Sequence, residues 1–163
     1  MAGKDFLNIF VDTEFTDLVD PVLISLGMVS DRGEELYIEV PYPKEKCSAF
    51  VRETVLPLLG REPHAAIALD DAYLHIHKWL EIVRRGNEDI FLCTDYHVDW
   101  ELFCKLMDNR PPAWVHHKPV AQDINELLLY SFHKRTGLPE HHALYDARAN
   151  QYAYRQQPSL PAR

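Results

Sequence analysis

Cysteine, positive charge and long apolar runs are all scarce in this chain. The three cysteines, Cys47, Cys93 and Cys104, are odd in number and form no Cys-x-x-Cys pair. They read as small buried hydrophobes of a reduced, cytoplasmic protein. No stretch approaches the roughly 18 apolar residues that a membrane span needs. The opening run Phe6 to Val11 is cut short by Asp12, so no signal peptide is expected either. Lys and Arg number 17 against 25 Asp and Glu, a formal net charge of −8. That argues against a protein that coats long duplex DNA, because such binding draws on a dense basic surface to displace counterions. It does not exclude nucleic acid, since a site built from carboxylates carries negative charge that divalent cations partly cancel. Internal repeats and low-complexity segments are absent.

What is present is an ordinary globular balance, 47% hydrophobic and 26% charged over 163 residues. This is enough for one domain with a core of its own, expected over residues 1–155. The tail 156–163, with Pro158 and Pro161, is expected to be flexible. Phe6 to Val11 reads as a buried strand, Val22 to Val29 as a second, and Glu35 to Val40 as a third after the turn Asp31-Arg32-Gly33. Ser48 is a candidate N-cap for a short helix that Pro57 bends or ends. Leu69, Ala72, Tyr73, Ile76, Trp79, Leu80 and Val83 follow helical spacing and predict an amphipathic helix. Ile90 to Cys93 is a fourth strand, and Trp100, Phe103, Leu106 and Met107 mark the next helix. Trp114 to His116 suggests a fifth strand. Asp123-x-x-Glu126 resembles a capping box opening a helix to Gly137, and a last helix spans about Ala143 to Arg155. A meander followed by alternating strands and helices implies an α/β fold, a mixed five-stranded sheet flanked by helices.

Three segments carry candidate chemistry. In Asp12-Thr13-Glu14 the carboxylates stand at i and i+2 of a strand, so both point to one face. Two hard oxygen donors there suit Mg²⁺ or Mn²⁺, although such a pair alone more often marks a solvated turn. Asp95 and Asp99 follow the fourth strand. Capping the next helix is the simpler reading for Asp95, and a carboxylate facing Asp12 is the functional one. In the third segment Asp146 lies inside a helical stretch and His141 in the loop before it. Helix propensity gives no reason for an aspartate there. A histidine, with an unperturbed pKa of about 6.5, can take a proton near neutral pH.

Taken in order, Asp12-x-Glu14, then Asp99 with Trp100 and Phe103, then His141-x-Ala143-x-x-Asp146-Ala147, resemble the DEDDh 3′-5′ exonucleases. The likeness runs over about residues 6–155 and is nearest to the small bacterial exoribonuclease branch; ribonuclease T, oligoribonuclease and the proofreading subunit of replicative polymerase are similar. One departure stands out: many members have Asn four positions before the second-motif aspartate, where this chain has Asp95.

The resemblance implies a ribonuclease H-like fold and two-metal hydrolysis with two Mg²⁺ or Mn²⁺ ions. Asp12 would bridge both ions, Glu14 and Asp146 would complete one, Asp99 would act partly through water, and His141 would be the general base. Asp95 is expected to support the site without binding metal directly. Leu18 would wedge against terminal bases; Phe15 is either a stacking platform or core. Arg148, two residues past Asp146, is the cation placed to meet phosphate. The implied partner is single-stranded RNA or an RNA 3′ overhang, with a homodimer also compatible and no membrane. The same chemistry on DNA, an inactive nucleic-acid-binding protein of this fold, and a phosphoesterase acting on small nucleotides are the rival readings.

Overall fold

Alternation along the first strand sorts its side chains between two environments. In β1 (Phe6–Phe15) Leu7, Ile9 and Val11 enter the main core, while Phe10 packs in a separate cluster with Cys93 and Val120. The computed structural model describes residues 6–155, so the expected flexible tail at 156–163 lies outside the described residues. β2 (Leu23–Ser30) pairs antiparallel with β1, and β3 (Glu35–Glu39) antiparallel with β2. On the other side of β1, β4 (Asp89–Thr94) and then β5 (Val115–Pro119) run parallel to it. The sheet order β3-β2-β1-β4-β5 puts β1 at the centre. This is the mixed five-stranded arrangement that the order of elements implies.

Among the described residues five α-helices flank the sheet: α1 (Ala49–Thr54), α2 (Leu69–Val83), α3 (His97–Leu106), α4 (Glu126–Thr136) and α5 (Ala143–Ala153). From α2 the residues Ala72, Ile76, Leu80 and Val83, and from α3 Val98, Leu102 and Phe103, share one core with Leu7, Ile9 and Val11. On the opposite face α5 lays Leu144, Tyr145 and Ala147 on Val29. No described helix is long and apolar enough to cross a membrane.

Several boundaries differ from the sequence expectation, each for a local reason. β1 continues four residues past Val11, because β2 pairs with it through Asp12, Thr13 and Glu14. Ser48 does cap α1, accepting from Val51 N at 3.2 Å. The expected Asp123–Glu126 box is not formed. Asp123 lies in a short 3₁₀ turn, and Asn125 caps α4 by accepting from Leu128 N at 3.1 Å. Asp95 is not a cap either: α3 begins at His97 after Tyr96, with no side-chain cap.

Candidate active site

Thr13, Asp12 and Glu14 stand near the carboxyl end of β1, and β4, which runs parallel, ends at the same edge of the sheet. Crevices at such strand ends are where α/β sheets receive ligands. α3 leaves β4 there, and its third residue, Asp99, returns to β1. Asp99 Oδ1 accepts from Thr13 N at 3.1 Å and from Thr13 Oγ1 at 2.6 Å. Its other oxygen, Oδ2, is buried and has no hydrogen-bond partner among the described residues, as is the case for Oδ2 of Asp12.

α5 brings the third segment. Gly27 sits across from Asp12 in the β1–β2 register. A Cβ at Gly27 would collide with the backbone of Ala143 and Leu144, so glycine is what lets the start of α5 rest directly on the sheet. Ala143 and Ala147 are fully buried in that contact. Asp146, on the same first turns, is thereby delivered to Asp12 and Glu14. The loop before α5 is fixed to it: His141 adopts a left-handed φ of 66°, and its N–H donates to Asp146 Oδ2 at 2.9 Å. A non-glycine residue there costs of order 1–3 kcal/mol, and such strain persists where the surroundings enforce it.

Two groups of ligand atoms result. Asp12, Glu14 and Asp146 each offer an oxygen within 4.8 Å of the others, and so do Asp12, Asp95 and Asp99. Asp12 is common to both. Burial first, and then the neighbouring charges of Asp99, Asp146 and Glu14, push Asp12 well above the ordinary carboxylate range. Burial, followed by Asp146 and Asp99, raises Glu14 to about 9. Asp99 is raised to about 7 by burial, partly offset by the Thr13 hydroxyl; Asp146 is raised to about 7 by burial, partly offset by the His141 N–H. Each shift penalises the ionised carboxylate, and a cation among them reverses the penalty. Hard oxygens, two unpartnered and buried, on two overlapping triads fit a pair of divalent cations.

The cluster forms one end of a cavity of about 550 Å³. Phe15, Leu18, Phe50, Tyr96 and His141 contribute to its walls. Leu18 is 73% exposed, held out by a turn in which Asp17 Oδ1 accepts from Val19 N at 3.0 Å and Asp20 N at 2.8 Å. Phe15 stacks with Tyr96, ring centroids 6.4 Å apart. Phe50, itself 55% exposed, meets the His141 ring edge to face at 4.9 Å.

Of the residues named from sequence, Asp12, Glu14, Asp95, Asp99, His141, Asp146, Phe15 and Leu18 all line this cavity. Arg148 does not. It forms a bidentate pair with Glu35, Nη2 donating to Oε2 at 2.7 Å and Nε to Oε1 at 3.0 Å, beside a separate depression with Tyr37 and His64. Residues i and i+2 of a helix face different ways, so Asp146 and Arg148 diverge. His142, next to His141 in sequence, is 1% exposed and stacked 3.8 Å from the Tyr145 ring. Gly27, Phe50 and Tyr96 contribute without having been singled out from sequence. So does His133, whose Nδ1 lies 2.8 Å from the Leu138 carbonyl while Nε2 stands 3.7 Å from Asp146 Oδ1. The carbonyl can only accept, so Nδ1 carries the proton.

Fold and cluster together define a ribonuclease H-like domain with convergent carboxylates at the edge of its central strand. Comparison with known proteins agrees with the fold. No family model and no curated protein matches the chain. Among solved structures it is similar to the nuclease domain of 3'hExo, a DEDDh family member, bound to rAMP. The TM-score is 0.58 at 14% identity, over 89% of this chain and 88% of that one. Cell-death related nuclease 4 (CRN-4) is similar with a TM-score of 0.55 at 14% identity, over 90% of this chain and 62% of the other. An Exonuclease I from Methylocaldum szegediense also gives 0.55, at 11% identity, over 90% of this chain and 39% of that one. The chain thus has the fold of DEDDh nuclease domains.

Proposed function

We propose that the chain is a metal-dependent 3′-5′ exoribonuclease that removes nucleoside 5′-monophosphates from single-stranded RNA or an RNA 3′ overhang. The observation that carries this reading is the pair of acidic triads sharing Asp12, with buried oxygens of Asp12 and Asp99 left unpartnered. The fold, common to DEDDh nuclease domains, supports it, and so does the run of motifs from Asp12 to Asp146. RNA is favoured by the likeness to the exoribonuclease branch and by the similar 3'hExo domain, which is bound to rAMP.

Bound Mg²⁺ or Mn²⁺ would polarise the scissile phosphate and lower the pKa of water; Asp12, Glu14, Asp99 and Asp146 are the residues to hold the two ions. The remaining work falls to the chain's own groups. Asp146 fixes the His141 loop through its bond to the His141 N–H, and Phe50 braces the ring. A ring nitrogen of His141 takes a proton from the attacking water as its oxygen bonds to phosphorus. The bond from phosphorus to the 3′ oxygen of the preceding nucleotide breaks. That oxygen takes a proton from solvent and becomes the new 3′ hydroxyl, and the terminal nucleotide leaves as a 5′-monophosphate. Leu18, Phe15 and Tyr96 present apolar surface on which terminal bases can stack without regard to sequence. Such stacking requires an unpaired end, which sets the preference for single strands and overhangs.

The test is product analysis on matched 5′-labelled RNA and DNA strands with Mn²⁺. A ladder shortening from the 3′ end, faster on RNA and lost in EDTA and in His141→Ala, is expected. Cleavage that survives EDTA contradicts the metal-dependent reading, and equal or faster cutting of DNA contradicts the RNA preference.

A further inference from the structure

Asp95 is the residue at which this chain departs from the Asn found in many sequences of similar pattern, and its surroundings give it a specific task. β1 and β4 run parallel with Phe10 beside Cys93, and the same register carried two residues further sets Asp12 beside Asp95. Asp95 directly follows Thr94, the last residue of β4, and its carboxylate joins that of Asp12 at this end of the sheet.

The local roles open to an aspartate at this point are unfilled. α3 starts two residues later with no side-chain cap, and among the described residues no hydrogen bond or ion pair reaches the Asp95 carboxylate. That carboxylate is exposed and free to turn into water. It lies instead with an oxygen within 4.8 Å of ligand atoms of both Asp12 and Asp99. Three like charges at that spacing repel. Two of them, moreover, present buried oxygens with no partner: Asp12 Oδ2 and Asp99 Oδ2, the latter on a side chain only 2% exposed. On the far side of Asp12, Asp146 has both the His141 N–H and His133 beside it. Among the described residues, the Asp12–Asp95–Asp99 side has only the two Thr13 donors, both on Asp99 Oδ1.

We propose that Asp95 is a direct ligand of the cation held between Asp12 and Asp99, so that this chain coordinates its two ions with five carboxylates rather than four. The inference rests on the two-cation reading of the site. Its consequence is that both ions are held before nucleic acid arrives, without a substrate oxygen to complete the second. Its chemistry also sets the ion. Mg²⁺ dehydrates reluctantly and is usually held by one or two carboxylates with several waters, whereas Mn²⁺ binds a given oxygen site more tightly. Three carboxylates on the second position therefore favour Mn²⁺.

Titrating the full chain with Mn²⁺ in the absence of nucleic acid, and following the signal of free Mn²⁺ by electron paramagnetic resonance, tests this directly. The expected result is two ions per wild-type chain. In Asp95→Asn the second step weakens by about tenfold or more while the first stays within about twofold, and in Asp12→Asn both weaken. If Asp95→Asn leaves both steps unchanged while Asp12→Asn weakens both, Asp95 is not a ligand and the two-cation reading stands. If the wild-type chain binds no Mn²⁺, that reading falls, and the role of Asp95 with it.

Discussion

Two cavities of nearly equal size open on this molecule, one of about 550 Å³ at the carboxyl end of β1 and one of about 530 Å³ between the loop after β1 and helices α2 and α3. Both have apolar walls and both have aspartates. In the second, Asp70 lies in the first turn of α2, where a negative charge is favoured by the helix dipole. Asp20 stands 3.9 Å from Lys46 Nζ. Among the described residues, both acidic triads line the first cavity and none lines the second. What distinguishes a candidate catalytic site from a surface hollow is therefore neither volume nor the number of acids. It is convergence: carboxylates brought together from separate elements, with one buried oxygen each of Asp12 and Asp99 left without a partner among the described residues.

The contrast is sharpest in activity. Asp12→Ala removes the ligand shared by both triads and should lower the hydrolysis rate by about 10³-fold or more, several kcal/mol of transition-state stabilisation. Asp70→Ala, in the other cavity, should leave the rate within about twofold. Comparable losses for the two variants, measured under single-turnover conditions, would break the comparison.

Next in size is the support of the first cavity. Gly27→Ala pushes a methyl group into the backbone at the start of α5 and should cost about 1–3 kcal/mol or more of stability. Asp146 and His141 are displaced with the helix. Thermal melting should show a drop of several degrees, and the hydrolysis rate should fall with it. A variant as stable and as active as the wild type would contradict the direct seating of α5 on β2.

Metal-free stability should then separate the two sets of acids by pH. Glu14 is raised to about 9, and Asp99 and Asp146 to about 7. Groups raised in the folded state bind protons more tightly there than in the unfolded chain. Their contribution is therefore fully present below about pH 4, the unfolded carboxylate value, and is lost as pH rises through 7 to 9. The metal-free protein should melt about 3–6 °C lower at pH 8 than at pH 5. Asp99→Asn should flatten that slope, and Mn²⁺ should raise the melting temperature more at pH 8 than at pH 5. A slope unchanged in Asp99→Asn would show that the cluster is not its source.

The smallest effect belongs to the apolar wall. Leu18→Ala should raise KM on short RNA by about three- to tenfold, at the lower end of what loss of a base-stacking contact costs, with kcat little changed. A change confined to kcat would assign Leu18 to the chemistry instead of the binding.

How much of this the sequence discloses depends on the distance over which each feature is encoded. The i, i+2 spacing of Asp12 and Glu14 is local, and the structure places both on one face of β1 in the same cavity. The apolar stripe of α2 is local too, with Ala72, Ile76, Leu80 and Val83 in the core. Arg148 is instructive because helical geometry alone separates it from Asp146; proximity in sequence had suggested otherwise. Gly27 carries no sign of its role, since the constraint comes from Ala143, more than a hundred residues away. His133 likewise meets Asp146 only because α4 packs beside α5. Asp95 was legible as a carboxylate at a strand end, and only the fold shows one of its oxygens within 4.8 Å of ligand atoms of Asp12 and Asp99.

The proposed function requires that two cations bind in the first cavity and share Asp12. A crystal of the protein soaked in Mn²⁺ and measured at the manganese absorption edge tests it most directly. Two anomalous peaks about 3.5–4 Å apart, both in contact with Asp12 and with none in the cavity beside α2, are the predicted result. A single peak away from Asp12, or none, would contradict it.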